Sequence, residues 1–310
     1  MILRLVFVDE RSAGMLTGGT AMLEPSRTSC RSAVRVMFCL CLRLLIVVWR
    51  DGRRMRQVRS MPVGVASVRS ESDLLVRYRG SDGGFVDTSL DRLSVDDVLA
   101  GLPVREFRSY RGRRHYSGWY WSATTGGLVV YESRLELARI LLADKDSDVV
   151  AIAAQPFLVD GFDGERTRRH VPDVLLGHAD RAVTVVDVKA ASRLDDPKVS
   201  AQFAWMKRLC EQQGFRFEVW SGTDPVLLEN VRFLAGFRRP ALVAQELVPL
   251  VLEAAVSPCT IAELERQLAG PARWDRIRPV ILHLLWRSRL TANLFRPLDG
   301  DTIVRTGVAA

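Results

Sequence analysis

Two short motifs in the second half of the chain combine residue types that can hold a divalent metal ion. Pro172-Asp173 is followed, after one predicted turn, by Asp187-Val188-Lys189. Alternate residues of a strand project to the same face, so Asp187 and Lys189 are expected to share one face of a sheet. If the turn centres near residue 179, Asp173 pairs close to residue 185 and becomes a diagonal neighbour of Asp187, about 7–8 Å away at Cα. A cation bound by oxygen ligands can bridge such a pair.

Phosphodiester hydrolysis is chemistry that requires this combination. A divalent metal polarises the phosphate and lowers the pKa of its bound water. Carboxylates offset the charge of the metal and fix its position, and without it they would repel one another. A neighbouring lysine can orient the water and stabilise the negative charge that grows on the phosphate. We therefore predict that Asp173 and Asp187 bind Mg²⁺, with Mn²⁺ as a substitute, and that Lys189 assists the water.

A third acid is available on a predicted helix that precedes these motifs. Glu132 and Glu136 are four residues apart and share one side of that helix. We favour Glu136 as a catalytic residue that completes or supports the metal shell. Ser133 and Glu136 also have the spacing of a capping box, so Glu136 could instead serve only to cap the helix.

The other motif residues also have structural interpretations. Pro172-Asp173 is a common turn dipeptide, and Asp187 with Lys189 could be a solvated pair at a strand end. Asp187, however, interrupts an almost continuously apolar run, where an unpaired charge is costly to bury. Taken together and in this order, the residues favour a functional site.

The hydrophobic pattern predicts an α/β core with a mixed sheet. Helices are expected at 94–99 and 130–143 and after the Asp196-Pro197 cap, and strands at 74–78, 149–154, 171–176, 182–188 and 215–220. Beyond residue 225 the pattern predicts helices at 241–255, from 260 and at 279–289, then a hairpin at 290–304. Three helices and a hairpin indicate a small winged-helix-like α+β domain, which binds either DNA or protein.

Composition sets limits on the remaining functions. Residues 1–70 contain twelve Arg and four acids, which accounts for the whole net charge of +8, because residues 71–310 contain 32 basic and 32 acidic residues. Overall basicity is therefore no evidence for DNA binding by the folded part. Five scattered Cys without a CxxC motif indicate a reduced, cytoplasmic protein, and the absence of a GxxxxGK[ST] loop argues against ATP binding.

The first 70 residues form an atypical segment. The run at 34–49 is too short and too charged to span a membrane. It is either an accessory hydrophobic helix or upstream sequence read through from an early start codon, and we assign it no function.

A segment rich in Arg and aromatic residues, at 108–121, is a candidate DNA contact. Arg113, Arg114, His115 and Trp119 are residue types that neutralise phosphates or stack on bases. His170, just before Pro172-Asp173, is expected to line the site and contact DNA. The alternatives are an edge strand with an aromatic face and a histidine at a strand edge.

The ordered motifs resemble those of TnsA-like endonuclease subunits of heteromeric transposases, which are PD-(D/E)xK nucleases with a restriction-endonuclease-like fold. The motifs are Tyr131 to Glu136, Gln155-Pro156-Phe157, His170 to Asp173 and Val186 to Lys189. Arg113 to His115 and Gly118 to Trp121 also resemble the lead-in of some members. The resemblance covers about residues 77–239 and, more weakly, the C-terminal region.

The resemblance implies roles for residues and for partners. Glu136, Asp173 and Lys189 match catalytic positions, whereas Asp187 stands where some relatives have Gln. Such a subunit nicks double-stranded DNA at the 5′ ends of a mobile element, a DDE-type transposase subunit processes the 3′ ends, and an AAA+ ATPase regulates both.

The organisation expected on these grounds is an endonuclease domain at 71–224 and a winged-helix-like domain at 225–310, in a bacterial, DNA-associated protein. Two alternatives stay open: another PD-(D/E)xK nuclease that acts in restriction or repair, and a non-catalytic DNA-binding or assembly protein that retains the fold.

Overall fold

The computed structural model describes residues 74–105, 116–270 and 274–307. The atypical segment at 1–70 and the proposed DNA contacts Arg113, Arg114 and His115 lie outside the described residues. In the described ranges, no helix is long and apolar enough to cross a membrane.

The described residues form thirteen strands and seven α-helices. The strands are β1 (Leu75–Arg79), β2 (Phe85–Thr88), β3 (Gly118–Trp121), β4 (Leu128–Tyr131), β5 (Val149–Ala154), β6 (Phe157–Phe162), β7 (Thr167–His170), β8 (Val174–His178), β9 (Val183–Val188), β10 (Arg216–Trp220), β11 (Cys259–Thr260), β12 (Leu290–Thr291) and β13 (Ile303–Thr306). The helices are α1 (Val95–Leu99), α2 (Arg134–Lys145), α3 (Pro197–Gln212), α4 (Pro225–Leu234), α5 (Val248–Ala254), α6 (Ile261–Leu268) and α7 (Trp274–Trp286).

A mixed central sheet has the strand order β10-β9-β8-β5, in which β10 is parallel to β9 and the other pairs are antiparallel. A second, antiparallel sheet has the order β2-β1-β6-β7. Strands β3 and β4 form a hairpin, and β11-β13-β12 form a small C-terminal sheet. The predicted α/β class with a mixed sheet is confirmed.

Strand β9 is central because both of its faces are covered. All six of its residues are buried, as expected of an apolar strand between two layers. Val186 and Val188 belong to a hydrophobic core that includes Ile140 of α2. Val183 and Val185 belong to a second core, which includes Trp205 and Met206 of α3 together with residues of β1 and β6.

Local end signals predicted several element boundaries correctly. Asp196 caps α3 by accepting a hydrogen bond from the Lys198 N–H (3.0 Å), and Pro197 occupies the first turn. At the other end, Gly214 adopts a φ of 70°, which suits the residue after a helix. Thr260 and Glu263, which have the spacing of a capping box, form both of its bonds at the start of α6, where a helix was expected.

Four predicted elements were wrong in extent. The helix expected at 130–143 begins at Arg134, because Val130 and Tyr131 pair with β3 and Ser133 caps the helix. The strand expected at 171–176 begins at Val174, since the preceding residues connect β7 of the second sheet to β8 of the central sheet.

The helix expected at 241–255 is two short 3₁₀ turns followed by α5, with Pro249 in the first turn of α5. Proline is tolerated there because the first helical N–H groups need no intrahelical partner. The third C-terminal helix begins earlier than expected, at Trp274, and includes Pro279 in its interior.

Candidate active site

The start of β8 and the end of β9 bring the two acidic motifs together. Val174 pairs with Val186 and Leu175 with Val185, and continuing this register by one residue places Asp173 opposite Asp187. The Asp173 N–H donates to the Val186 carbonyl oxygen at 3.1 Å, as expected of a ladder that continues to this point. The predicted diagonal arrangement was therefore wrong by two residues. The turn centres one residue later than assumed, and the two acids are direct rather than diagonal neighbours.

The Asp173 carboxylate is buried and held at the strand end. Its Oδ2 accepts a hydrogen bond of 2.6 Å from the Val188 N–H. Its pKa is raised to about 7, mainly by burial and in smaller part by the neighbouring Glu136 and Asp187 carboxylates, against the lowering effects of the Val188 N–H and His170. Near neutral pH, the positive charge close to Asp173 is therefore too weak to keep its carboxyl group fully ionised.

Asp187 is held by a histidine from the neighbouring sheet. Its side chain is only 2% exposed, and its two carboxylate oxygens lie 2.8 and 2.9 Å from Nε2 of His170, the last residue of β7. This contact offsets the free-energy cost of burying the Asp187 carboxylate in an otherwise apolar strand. The sequence suggested that His170 lines the site, but the pairing with Asp187 crosses two sheets and has no local signal.

Glu136 forms one of the two bonds of the suggested capping box and also lines the candidate site. Its Oε1 accepts a hydrogen bond from the Ser133 hydroxyl (2.9 Å), its Oε2 accepts one from the Glu132 N–H (2.8 Å), and its own N–H donates to Ser133 (3.1 Å). Burial raises the pKa of Glu136, whereas the hydrogen bonds and the nearby Lys189 ammonium lower it. Glu136 thus stabilises the start of α2 and also lies beside Lys189.

A single cavity of about 390 Å³ unites these groups. Its lining includes all four predicted catalytic residues, Glu136, Asp173, Asp187 and Lys189, together with His170 and Arg105. Lys189 is positioned by its backbone, because its N–H donates to the Trp220 carbonyl of β10 at 2.9 Å. Trp119, by contrast, does not line this cavity. It is 61% exposed on the β3–β4 hairpin.

Gln155 is a residue of this region that sequence reasoning did not single out as functional. Its N–H donates to the Asp173 carbonyl (2.9 Å), and its carbonyl accepts from the Val104 N–H (3.1 Å), next to Arg105. Its φ of 48° is uncommon for a residue other than glycine. Its side-chain Oε1 is buried and has no hydrogen-bond partner among the described residues. In the sequence, Gln155 stood out only as part of the Gln155-Pro156-Phe157 motif of the family resemblance, to which no role was assigned.

The donor chemistry fits a hard divalent cation. Carboxylate oxygens are the ligands that Mg²⁺ prefers, and such a site keeps several positions for water and phosphate. Burial, and to a smaller extent repulsion from Glu136 and Asp187, raises the pKa of Asp173, and a bound cation would stabilise its charged form. Among the described residues, no group of three or more His, Cys, Asp or Glu side chains is arranged so that it could hold a metal ion. The fit to a divalent cation therefore rests on the chemistry of these side chains and not on a preformed coordination geometry.

Comparison with known proteins agrees with the motif pattern. Residues 146–222, about a quarter of the chain, match the family model described as TnsA-like endonuclease N terminal. The matched segment includes Asp173, Asp187 and Lys189, whereas Glu136 precedes it. No curated protein matches the chain.

Proposed function

We propose, from the TnsA-like endonuclease domain at residues 146–222, that this protein is the metal-dependent DNA endonuclease subunit of a heteromeric transposase. The family match supports a nuclease domain related to transposase subunits. Dependence on a divalent metal, the reaction catalysed and the partner subunits are what we propose beyond that match. The reaction is hydrolysis of phosphodiesters at the 5′ ends of a mobile element. The observation that supports it most directly is the presence of Glu136, Asp173, Asp187 and Lys189 on a single cavity, which a fourth acid, Glu132, also lines.

In this proposal Asp173 and Asp187 hold Mg²⁺, and Glu136 completes or supports the metal shell. The bound metal would polarise the phosphate and make its water more acidic. His170 holds Asp187 through Nε2, and each Asp187 oxygen keeps lone pairs for a second partner. Asp173 would lose its proton on binding the cation, because a carboxylate binds metal only when it is ionised.

Lys189 acts on the reacting water and phosphate. Its ammonium lies on the same cavity as the carboxylates, where it can orient the attacking water. It also offsets the negative charge that grows on the phosphate oxygens during attack, and this effect is large in a partly dry site.

The rest of the assembly follows from the family resemblance. We propose that a DDE-type transposase subunit processes the 3′ ends, that an AAA+ ATPase regulates both subunits, and that double-stranded DNA is the substrate. Residues 71–224 would form the endonuclease domain. Residues 225–310, with α5, α6, α7 and the β11-β13-β12 sheet, would form a winged-helix-like domain that contacts DNA or a partner subunit.

The test is excision of the element by the complete set of subunits, with strand-specific detection of cuts. Lys189→Ala and Asp173→Ala are each expected to abolish cleavage at the 5′ ends while binding of the partner subunits persists. Lys207→Ala is the matched control, because Lys207 is exposed and forms a surface ion pair with Glu211 at 3.8 Å. Unchanged 5′ cleavage in the two site variants would contradict the proposal and favour a protein that retains the fold for assembly.

A further inference from the structure

A second cavity, of about 430 Å³, adjoins the catalytic cavity. The two cavities share Arg105 and Val171 in their linings. The second cavity is also lined by Arg77, Phe85, Leu158 and Arg169. We call these six residues the arginine groove. It begins where the catalytic cavity ends and contains three guanidinium groups.

The arginine groove lies on the outer face of the sheet β2-β1-β6-β7. Val76 and Val159, which are fully buried, alternate with Arg77 and Leu158 and point into the core. Arg77 and Leu158 are direct neighbours across β1 and β6. The pleat of the sheet therefore directs these two side chains away from the core.

The charges of the three arginines are not equally compensated. Arg77 forms two hydrogen bonds with the Asp87 carboxylate, at 2.5 and 2.7 Å, so an acid already offsets its charge. Arg105 and Arg169 are exposed, and Arg169 lies directly opposite Asp160 across β6 and β7. Two exposed guanidinium groups thus lie beside the catalytic cavity, neither of them held by a two-bond contact of the kind that Arg77 makes with Asp87.

Phe85 gives the groove an apolar side. Phe85 is 57% exposed, and the guanidinium of Arg79 lies 5.6 Å from the centroid of its ring. Leu158 and Val171 extend the apolar surface. Arginine combined with exposed apolar and aromatic surface matches a ligand that has a charged backbone and flat or apolar parts between its charges.

We propose that the arginine groove binds the backbone of the DNA strand beside the phosphate that is cut, with Arg105 and Arg169 each contacting one phosphate. Phe85, Leu158 and Val171 pack against the sugars between these phosphates. The inference rests on the proposed function, because it assigns the adjoining cavity to the reacting phosphate. It also gives the DNA a path different from the predicted contacts around Trp119.

The test is the salt dependence of DNA binding, measured by fluorescence anisotropy with a short labelled duplex of arbitrary sequence and no divalent metal. Each arginine–phosphate contact contributes about 1 to the slope of log K against log salt concentration. Arg105→Ala and Arg169→Ala are each expected to lower the slope of the wild-type protein by about 1, and the double variant by about 2. Arg169→Lys should keep the slope, since lysine also neutralises a phosphate.

Arg208→Ala is the matched control. Arg208 is an exposed arginine of α3 that lines none of the described cavities, so this change should leave the slope at the wild-type value. Equal slopes in wild type and both groove variants would overturn the inference, and so would a wild-type protein that does not bind the duplex at low salt.

A parallel measurement of Mg²⁺ binding separates this inference from the proposed function. Metal binding with unchanged slopes in the groove variants would contradict the groove alone. Lower slopes in a protein that binds no metal would support the groove as a DNA-binding surface and would contradict the nuclease.

Discussion

Asp173 is the residue at which stability and function oppose each other. Its carboxyl is buried beside two other acids, and its pKa is raised to about 7 mainly because burial disfavours the charged form. An isolated aspartate in an unfolded chain has a pKa of roughly 4. Such a group weakens the fold at neutral pH unless a cation binds beside it, which is the behaviour expected of a metal ligand.

The pH dependence of stability follows from this shift. Between about pH 4 and pH 7 the folded chain keeps the Asp173 proton and the unfolded chain loses it, so this group makes the fold less stable as the pH rises. Asp173→Asn should therefore stabilise the metal-free protein by about 1–3 kcal/mol at pH 7.5 and have little effect near pH 4. Denaturant unfolding at both pH values measures the difference. Equal effects of the substitution at the two pH values would contradict the assigned pKa.

Residue types and spacing predicted which acids and which lysine line one cavity, because those residues lie on two adjacent strands and the helix before them. Three further features were not predictable from such patterns. The contact between His170 and Asp187 joins two sheets, Arg105 approaches from a distant connection, and Gln155 acts through its backbone. Each depends on which segments meet in space, and a local sequence window contains no information about that.

Among the elements, local sequence signals predicted helix ends most accurately where the residues at the end itself form the cap. The caps at Asp196 and Thr260 are of this kind. The start of α2 was misplaced because Tyr131 fits a helical stripe with Leu135 and Ala138, although it belongs to a strand that pairs with residues 118–121. Pairing with a distant strand overrode the local periodicity.

The β3–β4 hairpin is attached to the end of α2 by one buried carboxylate. Asp144 accepts hydrogen bonds from the Tyr120 hydroxyl (2.6 Å), the Ser122 hydroxyl (2.7 Å), the Ala123 N–H (3.0 Å) and the Thr124 N–H (2.7 Å). In Asp144→Asn, the amide nitrogen cannot accept hydrogen bonds, so two of these donors lose their acceptor. The substitution should destabilise the protein by about 2–4 kcal/mol in denaturant unfolding.

Asp146→Asn provides the control for this prediction. Asp146 is exposed and its side chain accepts one hydrogen bond, from the Asp148 N–H at 3.0 Å. The change is expected to cost less than about 1 kcal/mol. If Asp144→Asn lowered the free energy of unfolding no more than Asp146→Asn does, the hydrogen bonds of Asp144 would not be what fixes the hairpin to α2.

At the scale of the whole molecule, the core does not stop at the predicted boundary near residue 224. One hydrophobic cluster includes Ile140 and Val186 of the α2 and central-sheet region, Val231 and Leu234 of α4, and Ile281 of α7. The predicted division into an endonuclease domain and a C-terminal domain stays a prediction. The shared cluster nevertheless means that separating the two parts would expose apolar surface on both.

We therefore expect the protein to unfold in a single cooperative transition, and a chain truncated after residue 224 to be unfolded or aggregated. Tryptophan fluorescence and far-ultraviolet circular dichroism during denaturant unfolding should give the same midpoint. Two separate transitions, or a truncated chain that unfolds cooperatively, would instead show that the two parts are independent domains.

The central claim is that Asp173 belongs to a working metal site, and calorimetry tests it most directly. Mg²⁺ and Mn²⁺ would be titrated at millimolar concentrations into wild type and Asp173→Ala, with and without a short DNA duplex, at pH 6 and pH 8. Wild type should bind either metal, more tightly at pH 8 because the raised pKa of Asp173 leaves more of it protonated at pH 6. Asp173→Ala should show no binding, and Asp180→Ala, which removes an exposed acid far from the cavity lining, should bind as wild type does. Absence of metal binding by the wild-type protein, even with DNA present, would contradict the account.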